Sequence, residues 1–197
     1  MTPATGTRQA AMEATRERIL EVAVDQFGNA WYDDVTLRGI ADAAGVALQT
    51  VVNHFGSKEA LFLVVGERVG ETIAAARWSV EEGDVDGAIA TLVADYERTG
   101  DATVRNLAVE EKVAVVRPMI DLGRRGHEAW VQHAFPAALD GLTGVARSRR
   151  IGQLVAVTDV YTWKILRRDK GLSVRQVRLA MRELVPALHQ PPTKEQP

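Results

Sequence analysis

The chain has 197 residues, 46% hydrophobic and 25% charged, with a formal net charge of −2 and no cysteine. That composition suffices for one small and one medium core and excludes disulfides and thiolate metal or redox sites. No apolar run reaches the roughly 18 residues of a membrane span, and the opening MTPATGTRQAAMEATRER lacks the apolar centre of a signal peptide, so a cytoplasmic protein is expected.

Residues 1–14 read as a loose arm. Ile19, Leu20, Ala23, Val24 and Phe27 then recur at helical intervals and predict a first helix over 15–27. Thr36 stands where an N-cap belongs, followed by the apolar stripe Leu37, Ile40, Ala41 and Ala44. Gly45 stops this second helix where a left-handed backbone is cheap, and Val46 and Val51 pin a short third helix against it. Ser57 caps a fourth helix through Leu61, Val65, Val69 and Ile73 to about 76, and SVEEGD at 79–84 breaks the pattern.

Asp84 caps a helix to about 98 whose apolar side is Ala88, Leu92, Val93 and Tyr96. A turn at Thr99-Gly100-Asp101 leads into a helix over 104–120, where Pro118 imposes a kink or break. Gly123 and Gly126 bracket a basic turn, 128–135 is helical, and Pro136 opens a short helix. After Gly141 and Gly144 a long helix is predicted over 145–169; Gly171 ends it and Ser173 caps a last helix to about 189. No stretch alternates as a strand, so the fold class is all-α: an N-terminal arm and helix-turn-helix domain at 1–57, a larger helical domain at 58–190, and a disordered tail at 191–197.

The most informative segment is 35–62. Two helices joined at a steep angle by a short glycine turn make a helix-turn-helix, a shape that pushes one helix into the DNA major groove. Its third helix carries Gln49, Thr50, Asn53 and His54 as polar groups at helical spacing. Gln and Asn can pair with adenine edges, and Thr can meet a thymine methyl or a phosphate; the same residues also suit a plain solvated face. Arg38, Lys58 and Thr36 lie at helix starts, where phosphates are held. Thr36 reads as a cap, a phosphate contact, or both, and Lys58 as a phosphate contact or a surface lysine.

The run Thr50-Val51-Val52-Asn53-His54-Phe55-Gly56-Ser57-Lys58-Glu59-Ala60-Leu61 resembles the Thr-x-Tyr-x-His-Phe-x-x-Lys-Glu-x-Leu signature of TetR-type (tetracycline-repressor-like) transcriptional regulators. Arg18-Ile19-Leu20, Ala23 and Phe27-Gly28 resemble the family's first helix, and Trp31 to Thr36 its aromatic connection without the usual glycine. The motif covers roughly 15–62; a TDVYTWKILRRD segment at 158–169 looks like a late helix of some members. Val52 stands where the family has tyrosine, removing one phosphate contact, and Ala47 stands where it has a capping Ser or Thr, at about 1 kcal/mol. For His54 the resemblance favours a phosphate contact over a packed residue.

The resemblance implies a homodimer, an operator in double-stranded DNA, and a small-molecule effector, apolar or aromatic, bound in the second domain. Candidate lining residues are Trp78, Tyr96, Asn106, Met119, His127, Trp130 and His133, a set that fits a mostly apolar pocket and equally an ordinary core. The dimer is expected through the helices at 145–169 and 173–189. Their stripes are Ile151, Leu154, Val155, Thr158, Tyr161, Thr162 and Ile165, and Val174, Val177, Ala180, Met181, Leu184 and Leu188.

Charge argues the other way. Residues 1–62 hold five basic residues (Arg8, Arg16, Arg18, Arg38, Lys58) and eight acidic ones, 5 − 8 = −3, whereas phosphate neutralisation favours a basic domain. The alternative is a regulator-like ligand- or protein-binding dimer that has lost DNA binding. An enzyme finds no support: His54, His127, His133 and His189 are scattered, and there is no phosphate loop or nucleophile elbow. No metal, no cofactor and no membrane contact are predicted.

Overall fold

A computed structural model describes residues 4–187, with side chains from Arg8 to Val185. The chain is helical: α1 (Ala4–Asn29), a 3₁₀ turn (Tyr32–Asp34), α2 (Leu37–Ala44), α3 (Leu48–Phe55), α4 (Lys58–Trp78), α5 (Val85–Val109), α6 (Val116–Ala134), a 3₁₀ turn (Pro136–Ala138), α7 (Gly144–Thr158), α8 (Val160–Lys164) continuing as a π turn (Ile165–Asp169), and α9 (Val174–Ala187). No strand occurs among the described residues, which is the all-α fold expected. None of these helices is long and apolar enough to cross a membrane. The expected extension of the last helix to His189, with Leu188, and the tail at 191–197 lie outside the described residues.

Two cores form. The first joins Ile19, Leu20, Ala23 and Phe27 of α1 to Ile40 and Ala41 of α2, Val51 and Phe55 of α3, and Leu61, Phe62 and Val65 of α4. It also takes Val116 and Ile120 from α6, far along the chain. The second collects Leu92, Val93 and Tyr96 of α5, Trp130, Val131 and Ala134 of α6, Leu154 of α7, Val160 and Trp163 of α8, and Val177, Met181 and Val185 of α9. Thus α5 and α6 contribute to both cores, and α4 runs from the first core to Arg77, which lies over Trp130 of the second.

Several boundaries differ from the sequence reading. The loose arm expected at 1–14 is helical from Ala4, because ATGTRQAAMEA is alanine-rich and held by local bonds such as Gln9 to Glu13 at 3.1 Å. Its side chains from Arg8 to Ala14 are exposed, so no apolar stripe announces it. Pro118 neither kinks nor breaks a helix: it lies in the first turn of α6, where its missing N–H has no partner to lose. Gly123 and Gly126 bracket no turn; both are inside α6. The single helix expected at 145–169 is divided at Asp159, which is extended (φ −70°, ψ 153°) and accepts the Tyr161 N–H on Oδ1 at 2.8 Å.

The turn expected at Thr99-Gly100-Asp101 is continuous helix within α5. Gly100 is there because Trp163 is. A Cβ at position 100 would lie 2.4 Å from the Trp163 ring. That ring is fully buried, with its Nε1–H donated to Glu97 at 2.9 Å and Arg168 stacked on it at 4.6 Å. Overpacking a fixed ring sits at the upper end of about 1–3 kcal/mol and outweighs the roughly 1 kcal/mol alanine gains over glycine in a helix. Gly100→Ala is therefore expected to lower stability by about 1–2 kcal/mol in urea titration; an equal or higher midpoint would show that the ring moves aside.

Candidate nucleic-acid interface and second-domain cluster

Local chemistry shapes the helix-turn-helix. Thr36 (φ −126°, ψ 147°) caps α2, its Oγ1 accepting the Gly39 N–H at 3.0 Å. At the other end Gly45 takes φ 66°, the Val46 N–H returns to Ala41 O at 3.0 Å and the Gly45 N–H to Asp42 O at 3.2 Å. This is the paired closure of a Schellman end. Arg18 of α1 donates its Nε–H to Ala44 O at 3.0 Å, satisfying another end carbonyl of α2. Ala47 starts α3 with a capping backbone (φ −69°, ψ 146°) but no side-chain acceptor.

α3 has two different faces. Val51 is fully buried and Phe55 nearly so, with the Arg16 guanidinium 5.0 Å above the Phe55 ring. Gln49 and Asn53 are exposed, Thr50, Val52 and His54 half-buried. Gln49 donates an Nε2–H to Asn53 Oδ1 at 2.9 Å, which pre-orders the pair and leaves the Asn53 amide donors and the Gln49 carbonyl for other partners. Gly56 (φ 79°) then turns the chain, and Ser57 caps α4 by accepting the Ala60 N–H at 3.1 Å.

Lys58 is half-buried, its Nζ 4.2 Å from the centre of the Tyr32 ring. Tyr32 packs edge-on to Phe62 at 5.1 Å, and burial, then the Glu59 charge, pushes its hydroxyl up to about 12. Arg38 is exposed in the first turn of α2 and forms no ion pair among the described residues. Glu17, one of the eight acids, is held by both nitrogens of Arg68 at 2.6 and 2.9 Å; that bonding keeps its carboxyl below the usual range. Thr36 and Arg38 thus stand at the start of α2 and Lys58 at the start of α4.

The second-domain candidates divide. Tyr96, His127 and Trp130 come together, and the Trp78 ring lies tilted against His133 at 4.9 Å with half its own surface exposed. Met119 belongs to the first core, against Gly66, and Asn106 is half-buried elsewhere on α5. Around the central three lie residues the pattern did not single out as lining: Arg77, Asp95, Arg98 and Thr158. Arg77, in the last turn of α4, donates Nε–H to Asp95 Oδ2 at 3.0 Å and lies over the Trp130 and Tyr96 rings at 5.1 and 5.6 Å. Arg98 donates to Asp95 Oδ1 at 2.5 Å. Asp95 is 1% exposed; a carboxylate within the stripe Leu92, Val93 and Tyr96 was the signal, since a buried charge needs a partner.

His127 joins this cluster to α7. Thr158 gives its hydroxyl proton to Leu154 O at 2.7 Å, so the His127 Nε2–H donates to Thr158 Oγ1 at 3.0 Å and Nδ1 accepts from Arg77 at 3.1 Å. The ring is neutral: burial, then the Arg77 charge, lowers it to about 3. The late helices are partly consumed in the same way. Leu154, Thr158, Val177 and Met181 are buried within the subunit, while Tyr161, Ile165 and Leu184 remain exposed. A shallow groove of about 490 Å³ runs between α5 and α9, lined by Ile89, Ala90, Leu179, Arg175 and Arg178.

Residues 19–65 match the family model described as bacterial regulatory proteins, tetR family. The mycobacterial regulator RaaS (Mycobacterium tuberculosis) is 48% identical over 56 residues, and the Escherichia coli regulator RutR 38% over 61. Those stretches are 28% and 31% of this chain but only 26% and 29% of the relatives' own lengths. Among solved structures, SmeT in complex with triclosan superposes with a TM-score of 0.67 at 20% identity over 93% of this chain and 98% of that one. A tetR-family regulator from Streptomyces coelicolor gives 0.65 at 19%, over 89% and 80%. Residues 19–65 are thus similar to the N-terminal domain of tetR-family regulators, and the fold of the two solved structures extends over most of the chain's length.

Two outcomes follow from this geometry. Supplying the missing acceptor by Ala47→Ser should stabilise the protein by about 1 kcal/mol in urea titration; no gain would show that α3 is already held by packing alone. His127 has a folded value near 3 against an ordinary 6.5, so the unfolded chain takes up its proton first. Its contribution is complete above pH 6.5 and is lost as pH falls toward 3, at up to roughly 1.4 kcal/mol per unit. Between pH 6.5 and 5, His127→Gln should lose less stability than the parent; parallel curves would show that the folded state takes up the His127 proton as readily as the unfolded chain.

Proposed function

We propose that this protein is a homodimeric, sequence-specific DNA-binding transcriptional regulator, a repressor released from its operator when a small molecule enters the second domain. The observation that carries the reading is the division of α3: Val51 and Phe55 anchor it while Gln49 and Asn53 stand exposed and pre-ordered on its outer face. Gln49 and Asn53 read adenine edges and Thr50 meets a thymine methyl or a phosphate. Thr36, Arg38, His54 and Lys58 hold phosphates on either side. Dimerisation proceeds through α7, α8 and α9, whose Tyr161, Ile165 and Leu184 are large apolar groups left in solvent.

The release mechanism is geometric. Two α3 helices must sit about 34–36 Å apart, or a multiple of that, to enter successive major grooves. An effector with an apolar or aromatic body, bound near Tyr96, His127 and Trp130, displaces the far end of α4 and spoils that spacing. SmeT, which shares the fold, was solved with triclosan, in line with a small-molecule effector. By linkage, DNA weakens effector binding by the same factor.

The test is gel retardation on the DNA upstream of its own gene, at several salt concentrations. Asn53→Ala should cost about 1–3 kcal/mol on the preferred site and relax its specificity, and Lys58→Ala should weaken all sites alike and lower the salt slope by about 1. A folded dimer that retards no DNA even at low salt would favour the reading in which DNA binding has been lost, to which the −3 balance of residues 1–62 points.

A further inference from the structure

The second-domain cluster sets two guanidinium groups against one carboxylate. Asp95 accepts from Arg77 on one oxygen and from Arg98 on the other. His127, whose Nδ1 accepts from Arg77, adds no positive charge, so two guanidinium groups share the one carboxylate they touch, with Asp159 the next acid acting on Tyr96. Arg77 is also used below its capacity: its fork is split, Nε to Asp95 and Nη1 to His127, where a carboxylate can take two parallel bonds. Its faces meet the Tyr96 and Trp130 rings, and His127 stacks on Trp130 at 5.8 Å, giving flat aromatic walls around the charge. Arg98 opens the way in, its side chain 55% exposed while its guanidinium touches the buried Asp95.

We infer that this cluster is the receptor for a small aromatic carboxylate, which pairs with Arg77 in place of Asp95 and stacks among Tyr96, His127 and Trp130. The inference rests on the effector reading above and adds to it the charge of the ligand. An arriving acid meets Arg98 first, exchanges with Asp95, and receives both prongs of Arg77. Because Arg77 belongs to the last turn of α4 and Asp95 to α5, the exchange uncouples the end of α4 from α5.

The test uses the full chain without DNA, with benzoate, 1-naphthoate and 2-naphthoate as probes and the matching neutral amides as controls, read by calorimetry and thermal shift. At least one acid should bind, about tenfold or more tighter than its amide. Arg98→Gln, at an exposed position, should weaken the acid, and Arg77→Met, checked by circular dichroism, should abolish its binding. Asp95→Asn should tighten the acid about tenfold, because the internal competitor is gone; a merely structural pair would not produce that gain. Amides binding as well as acids, none of the three acids binding, or an unchanged affinity in Asp95→Asn overturns the proposal. An acid that binds as described while gel retardation is absent or unaffected keeps the carboxylate receptor and overturns only the release reading.

Discussion

An eight-residue helix does not hold itself together in water, where isolated helices shorter than about 12–15 residues are marginal. α3 has eight residues and no side-chain cap at its start. It exists because Val51 and Phe55 are buried against α1, α2 and α4, each such side chain contributing about 1.5–3 kcal/mol. The same burial decides where the other face stands: once Val51 points into the core, Gln49 and Asn53 have nowhere to be but outside. The outward face is thus a consequence of the inward one. The Schellman closure at Gly45 and the Arg18 bond to Ala44 fix the angle at which the two short helices meet.

The reading head is not closed on itself. Val116 and Ile120, at the start of α6, complete its core, and the same helix carries His127 and Trp130 eleven to fourteen positions beyond Val116 (127 − 116 and 130 − 116). α4 has the same arrangement, with Leu61, Phe62 and Val65 in the head and Arg77 in the polar cluster. Arg105 of α5 donates to Gly28 O, a carbonyl left open at the end of α1, and adds a third tie. Three helices therefore span from one core to the other. In the proposed release, a change in what Arg77 or His127 touches would pass along these helices to the residues that seat α3.

How much of this was legible depended on whether the chemistry was local. The helix-turn-helix was, because Thr36, Gly45, Val51 and Ser57 act within a few residues of themselves, and the caps and turns stand at those residues. The start of α1 was hidden because an exposed alanine-rich segment has no apolar period to detect. Gly100 looked like a turn because glycine usually is one; its actual reason, the Trp163 ring, lies 63 positions further on (163 − 100). Pro118 was read as a breaker because its place in a first turn depends on where α6 begins, which depends in turn on the head core accepting Val116. The candidate lining residues were chosen for aromatic character, and three of them, Tyr96, His127 and Trp130, stand in one cluster. It passed over Arg77 and Asp95, whose pairing across two helices leaves no spacing signal.

The charge balance of the head looks different once its residues are in place. Counting residues 1–62 gives −3, but the count treats every side chain as equally near the outer face of α3. Glu17 is neutralised by Arg68, a residue beyond the counted segment. Including that residue alone brings the sum to −2. Arg16 lies over the Phe55 ring and Arg18 donates to Ala44 O. At the starts of α2 and α4 stand Arg38, Lys58 and the capping hydroxyls of Thr36 and Ser57, and with them the carboxylate of Glu59. With about 8–10 Å as the reach of a charge in physiological salt, the groups nearest a contact weigh most, and Asp33 and Glu59, which stand beside Lys58, count among them. In the proposed DNA-binding reading, net charge bears on approach from a distance and the placement of individual charges on contact.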